Sequence, residues 1–245
     1  MPQLQVFPDN RSFVIGSAEF IMEVAARAIG ERGRFTIALS GGGTPKPIYA
    51  RLSTTDYRDR IPWEKAHIFF SDERCVPPDD ARSNYRMARE AWFDLSDIPA
   101  GNIHRVHGED DPHAEALRYE KDIAGLHRQA GIPAFDLILL GMGDNGHTAS
   151  LFPGTAALRE RARWVVAQYV EVMAAWRVTF TAPLINAARH VAFLAEGAAK
   201  AQMLWNVLEG PYQPEVWPSQ LIQPVGGELH WLVDAEAAAK VKAAG

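Results

Sequence analysis

Residues 35–46 read Phe35-Thr36-Ile37-Ala38-Leu39-Ser40-Gly41-Gly42-Gly43-Thr44-Pro45-Lys46. The first five predict a short strand, Phe35–Leu39, that runs into a glycine cluster. Pro47 suits the first turn of a helix over Pro47–Leu52. A strand that passes through a glycine turn into a helix is the opening of a βαβ unit.

The theme repeats on both sides of this stretch. Upstream, Ser17–Gly33 predicts a helix, with Phe20, Ile21, Val24, Ala25, Ala28 and Ile29 on one face and Ser17 as its cap. Downstream, strands are expected at Ala66–Phe70, Phe135–Leu140, Trp164–Val170, Arg177–Thr181, His190–Ala195 and Leu229–Val233. Helices are expected at Asn84–Phe93, at Pro112–Gln129 capped by Asp111, at Ala198–Leu208 and in the alanine-rich C-terminal segment. This alternation predicts an α/β fold: a mostly parallel β-sheet flanked by helices on both faces. There is no internal repeat or long linker, so residues 1–245 are expected to form one domain. Pro211–Pro224 is proline-rich but carries Trp217, Leu221 and Ile222, which predicts a docked loop rather than a hinge.

Composition limits the partners. The chain has 245 residues, with 25 Lys and Arg against 30 Asp and Glu, a formal charge of −5. An acidic balance argues against a general nucleic-acid or membrane-surface binder. With 47% hydrophobic residues the chain is too apolar to be disordered. The single cysteine, Cys75, has no internal disulfide partner and excludes a cysteine-based zinc site. Residues 1–10 lack the basic and apolar regions of a secretory signal, and no apolar run is long enough to span a bilayer. A cytoplasmic protein is expected.

In open α/β sheets, ligands bind beyond the carboxyl ends of the strands. Three strand ends here carry unusual loops: Ser40 to Lys46, Ser71-Asp72-Glu73-Arg74, and Gly141-Met142-Gly143-Asp144-Asn145-Gly146-His147. Successive glycines let backbone N–H groups turn towards an anion, as a phosphate requires. The glycine–lysine–serine/threonine order of a Walker loop is missing. The third loop contains a formal G-x-G-x-x-G, but it lies late in the chain, and Pro153 and Gly154 soon interrupt any helix after it. A dinucleotide site is therefore not expected. His147 is the best general base, with Asn145 placed to orient it. His104, His107 and His113 match no ligand spacing and read as solvated surface histidines. Cys75 reads as a small buried hydrophobe.

Together these loops resemble the 6-phosphogluconolactonase family, within the larger group that includes glucosamine-6-phosphate deaminase. The matching segments are Leu39 to Lys46, Ser71 to Val76, Ser83-Asn84-Tyr85, Gly141 to Pro153 (GMGDNGHTASLFP), Arg177 to Thr181, Asn186 to Arg189, and Gly197 to Gly210 with Lys200. Arg74 after Asp-Glu, and His147 to Pro153, look like the lactonase branch. The resemblance implies a Rossmann-like fold and hydrolysis of 6-phospho-D-glucono-1,5-lactone, with no required metal or organic cofactor. The partner it implies is a small phosphorylated sugar lactone; a monomer or weak homo-oligomer is expected. It implies phosphate binding through Ser40, Gly41, Gly42, Gly43, Thr44 and Lys200, joined by Arg74. His147 would activate water, and backbone amides or Arg74 would hold the oxyanion.

One position departs from the pattern. The family loop has aspartate two residues before the histidine, where this chain has Asn145. An amide orients imidazole but supplies no charge to the imidazolium. That leaves three outcomes: Asp144 substitutes, His147 works with weaker support, or activity is reduced. Two other functions compete with the lactonase. In a deaminase/isomerase of the same group Asp72 would be the proton-transfer residue. A non-catalytic sugar-phosphate binder would keep the loops without turnover.

Overall fold

The computed structural model describes residues 2–126 and 131–242. Its elements run β1 (Gln3–Phe7), α1 (Asn10–Arg32), β2 (Phe35–Leu39), α2 (Lys46–Leu52), α3 (Thr55–Arg58), β3 (Ala66–Phe70), β4 (Asp72–Arg74), α4 (Asn84–Ala91) and α5 (Pro112–Leu126). They continue with β5 (Leu137–Gly141), β6 (Val165–Val170), β7 (Ala175–Phe180), α6 (Ala182–Asn186), β8 (His190–Ala195), α7 (Ala201–Leu208) and β9 (Glu228–Asp234). Six strands form a parallel sheet in the order β1-β9-β8-β5-β2-β3. The other three, β4-β7-β6, form a small antiparallel sheet.

Burial explains why the main strands are legible. Ile37, Leu39, Ile68, Phe70, Leu137 and Leu139 point to one apolar layer, which includes Phe13, Ile21 and Ala25 of α1 and Tyr49 of α2. Their neighbours Ala38, Phe69, Ile138 and Leu140 point to the other, with Tyr119 and Ile123 of α5, Phe180 of β7 and Leu204 of α7. Both faces of the sheet are dry, so its strands read as continuous apolar runs. The α/β class with helices on both faces is as expected.

Several elements differ from the sequence-based expectation. Ser17 does not cap α1; it is fully buried within the helix. Asp9 is the cap, its side chain accepting from the Ser12 N–H at 2.7 Å. Strand β1 has no counterpart among the expected strands. It lies at the sheet edge beside β9, and only its last residue, Phe7, is buried. Residues 165–170 and 175–180 are strands, but they pair antiparallel outside the main sheet. The expected helix after β9 is instead a series of turns through residue 240. The Asp234 carboxylate accepts from the N–H groups of both Gly197 and Ala237 and pins the chain there. Asp111 does cap α5, accepting from Ala114 N–H at 2.9 Å. Residues 127–129 of that expected helix, and 243–245 of the terminal one, lie outside the described residues.

The chain leaves β2 for β3 on one side and leaves β5 for β8 on the other. The two neighbours β2 and β5 therefore flank a topological switch point, where a crevice opens at the carboxyl ends.

Candidate active site

The three loops converge on that crevice. A cavity of 230 Å³ is lined by Ser40 to Pro45, by Asp72 and Arg74, by Gly141 to Gly143 with His147, and by Arg177 and Lys200. Every residue picked from the sequence for binding or catalysis lines it except Asn145, which stands behind His147.

The first loop is anchored at its start and free at its turn. Tyr49 holds Ser40 from both sides, accepting from its N–H at 3.1 Å and donating to its carbonyl at 2.9 Å. Gly42 has φ of +97°, a conformation that side-chain-bearing residues rarely adopt. Among the described residues, the N–H groups of Gly42, Gly43 and Thr44 have no hydrogen-bond partner.

His147 is fixed on three sides. The Asn145 Oδ1 accepts from the His147 backbone N–H at 3.2 Å and lies 2.6 Å from Nδ1. Because the same oxygen takes the backbone N–H, it is the acceptor for the ring as well. The Nδ1 therefore carries the proton and Nε2 keeps its lone pair. The ring stacks on Phe152, with centroids 3.9 Å apart and planes 17° from parallel. On the third side is Gly143: a Cβ there would lie 2.0 Å from the ring. Burial pushes the His147 pKa down to about 4, opposed by the nearby Asp72 charge.

Asp144 does not stand in for the missing aspartate. It is paired with Lys200, and that ammonium holds its carboxyl below the usual range. The partner of His147 is Asn145 itself.

Asp72 is buried and heavily committed. Its carboxylate accepts from Ser150 Oγ at 2.6 Å and from Asn84 Nδ2 at 3.3 Å, and lies 3.6 Å from Arg177 Nη1. The pairing of β4 with β7 sets Arg74 directly opposite Arg177. Among the described residues, each guanidinium keeps a buried Nε without a protein partner, although Arg74 also donates to the Arg82 carbonyl. A buried charged donor without an acceptor is costly unless a ligand supplies one. Two of them over one cavity make a receptor for an anionic group.

The sequence profile of the family described as glucosamine-6-phosphate isomerases/6-phosphogluconolactonase matches residues 8–231. The chain belongs to this family. A 6-phosphogluconolactonase of Synechocystis sp. is 45% identical over 239 residues, covering 96% of this chain and 97% of the relative. One from Nostoc sp. is 44% identical over 241 residues, covering 97% and 98%. The solved 6-phosphogluconolactonase from Trypanosoma cruzi superposes with a TM-score of 0.87 at 32% identity, covering 99% of this chain and 97% of that one.

In this family member, sequence reasoning assigns no separate role to Arg177, Ser150 or Phe152. The signal for Arg177 is present: an arginine set directly before the β-branched and aromatic run Val178-Thr179-Phe180, and 8% exposed in the fold. Ser150 and Phe152 carry no such signal, since their contacts cross the fold. The loop at 211–224 is docked as expected. Ser219 donates its N–H and its hydroxyl to the Gly146 carbonyl, both at 2.9 Å, bracing the histidine loop. His104 is not a solvated histidine. It stacks on Phe69 with centroids 4.2 Å apart, and burial pushes its pKa down to about 4. Cys75 is half-buried, its thiol pushed up to about 11 by burial, which makes it a poor nucleophile. No helix among the described residues is long and apolar enough to cross a membrane.

Proposed function

We propose that the protein hydrolyses 6-phospho-D-glucono-1,5-lactone to 6-phospho-D-gluconate, working in the cytoplasm as a single-domain enzyme of residues 1–245. The observation that carries this is the His147–Asn145 contact, which leaves Nε2 as an unprotonated base beside a cavity rich in cationic and N–H donors. The substrate's phosphate occupies the Ser40 to Thr44 loop, meeting the free N–H groups of Gly42, Gly43 and Thr44, with Lys200 and Arg74 supplying charge. Lys200 exchanges Asp144 for the phosphate.

The lactone ring then lies towards His147. Nε2 takes a proton from water as its oxygen bonds to the lactone carbonyl carbon. The carbonyl oxygen becomes an oxyanion, and Arg177, held by Asp72, donates to it. Collapse breaks the bond from that carbon to the ring oxygen, which receives its proton from the imidazolium. Asp72 holds Arg177 and Asn84 in place and moves no proton itself. Every side chain used belongs to this chain, so a monomer or a weak homo-oligomer suffices.

A coupled assay separates this function from its competitors. Purified protein should accelerate lactone opening above the spontaneous rate and release no ammonia from glucosamine 6-phosphate. Ammonia release without lactone opening would make it a deaminase. Tight 6-phosphogluconate binding with no turnover would make it a binding protein.

A further inference from the structure

The opposite end of the main sheet carries a second cluster of chemically able side chains. His190 opens β8, and in the register of β8 with β9 it faces Glu228, while Ala192 faces His230. Side chains alternate faces along a strand, so His190, Glu228 and His230 all stand on one face. His190 Nδ1 and His230 Nε2 are 3.2 Å apart. The Glu228 Oε2 lies 3.4 Å from His230 Nε2 and 3.8 Å from His190 Nδ1.

Zinc bonds nitrogen and carboxylate oxygen at about 2.0–2.2 Å, so neighbouring ligand atoms around a tetrahedral zinc stand about 3.3–3.5 Å apart. The three atoms already form a triangle close to that size. The centre of that triangle lies about 2.0 Å from each atom, so an ion displaced about 0.7 Å out of its plane towards a fourth ligand keeps bonds of about 2.1 Å, within the zinc range. Phe20 of α1 covers the His230 ring with centroids 4.7 Å apart, and Gln3 of β1 donates to Glu228 Oε2 at 3.2 Å. Glu228 is exposed, so water can reach a fourth position.

A second group, His107, Asp110 and Glu115, is poorer. Arg118 and the His107 N–H already occupy the Glu115 carboxylate, at 2.6 and 2.7 Å, and neutralise the charge a metal would use.

We propose that His190, Glu228 and His230 form a binding site for a divalent transition metal, with zinc as the best match, at the amino ends of β8 and β9. The ligand set is two imidazoles, one carboxylate and one water. The ion replaces the proton shared between the two histidines and ties β9, with β1 beside it, to β8. It lies at the far end of the strands from His147 and takes no part in lactone opening.

Titration of tag-free protein with zinc, followed by calorimetry, tests this. Cobalt substitution reports geometry through the intense visible bands of four-coordinate cobalt. One equivalent should bind, raising the thermal midpoint in a concentration-dependent way. Glu228→Gln removes only an exposed charge and should weaken binding at least tenfold. His190→Gln should abolish it, with lactone hydrolysis retained as the check on folding. His107→Gln should leave it unchanged. Absence of a saturable equivalent, or an equivalent that survives both Glu228→Gln and His190→Gln, would overturn the proposal.

Discussion

The His147 ring is held by one amide oxygen, that of Asn145. Asn145 orients the imidazole without adding a charge to it, and burial pushes its pKa down to about 4 against the opposing Asp72 charge. A depressed histidine is in its basic form at every pH above that value. The kcat/KM of the protein should therefore stay level from about pH 6 to 8, with its acid limb well below the ordinary histidine range. Asn145→Asp places a negative charge beside Nδ1 and favours the imidazolium. The acid limb should move to higher pH and kcat should rise, because the imidazolium that forms is stabilised. A limb that stays in place with a lower kcat would mean the loop has adapted to the amide. Gly143 acts by absence: the Cβ of Gly143→Ala would sit 2.0 Å from the ring. A displacement of about 1 Å can cost roughly 10²-fold in rate, so kcat should fall by that order in steady-state assays.

At the scale of elements, α4 is pinned through one buried carboxylate. Glu73 accepts from the N–H groups of Arg74, Asn84 and Tyr85, each at 2.8 Å, and from Ser83 Oγ at 3.0 Å. Ser83 is also the N-cap of α4, accepting from Arg86 N–H at 3.1 Å. This cluster sets Asn84 against Asp72 and so reaches the site. Glu73→Gln turns one acceptor into a donor facing backbone N–H groups. Stability should drop by about 1–3 kcal/mol, read as a lower urea midpoint. An unchanged midpoint would remove Glu73 from this role. Strands β2, β3 and β8 match their sequence-based bounds because both their faces are buried and their loops are punctuated by glycine and polar residues. β1 and β4 are illegible for opposite reasons. β1 is a mostly exposed edge, and β4 is three polar residues made into a strand only by pairing with β7.

For the whole molecule, buried histidines couple stability to pH. His147 and His104 both have folded pKa values near 4, below the ordinary 6.5. Between those values the unfolded chain binds protons that the folded chain refuses. Stability should therefore rise with pH through that window and be lost as pH falls from about 6.5 towards 4. Urea midpoints that hold constant from pH 7 to 4.5 would contradict it. The candidate site is largely legible as a cavity, because its glycines, Asp72, Arg74 and His147 lie in strand-end loops that announce themselves by composition. Arg177, Ser150 and Phe152 are not, since their contacts at the site come from cross-strand pairing, a long-range hydrogen bond and ring stacking. The same holds for the pairing of Asp144 with Lys200, which local sequence leaves open. The proposed chemistry converges on the lone pair of His147 Nε2. Its most direct test is the turnover of His147→Ala on 6-phospho-D-glucono-1,5-lactone. Loss of general base catalysis should lower kcat by roughly 10²–10⁴-fold with KM nearly unchanged, while a kcat within twofold of the parent would show that another group activates the water.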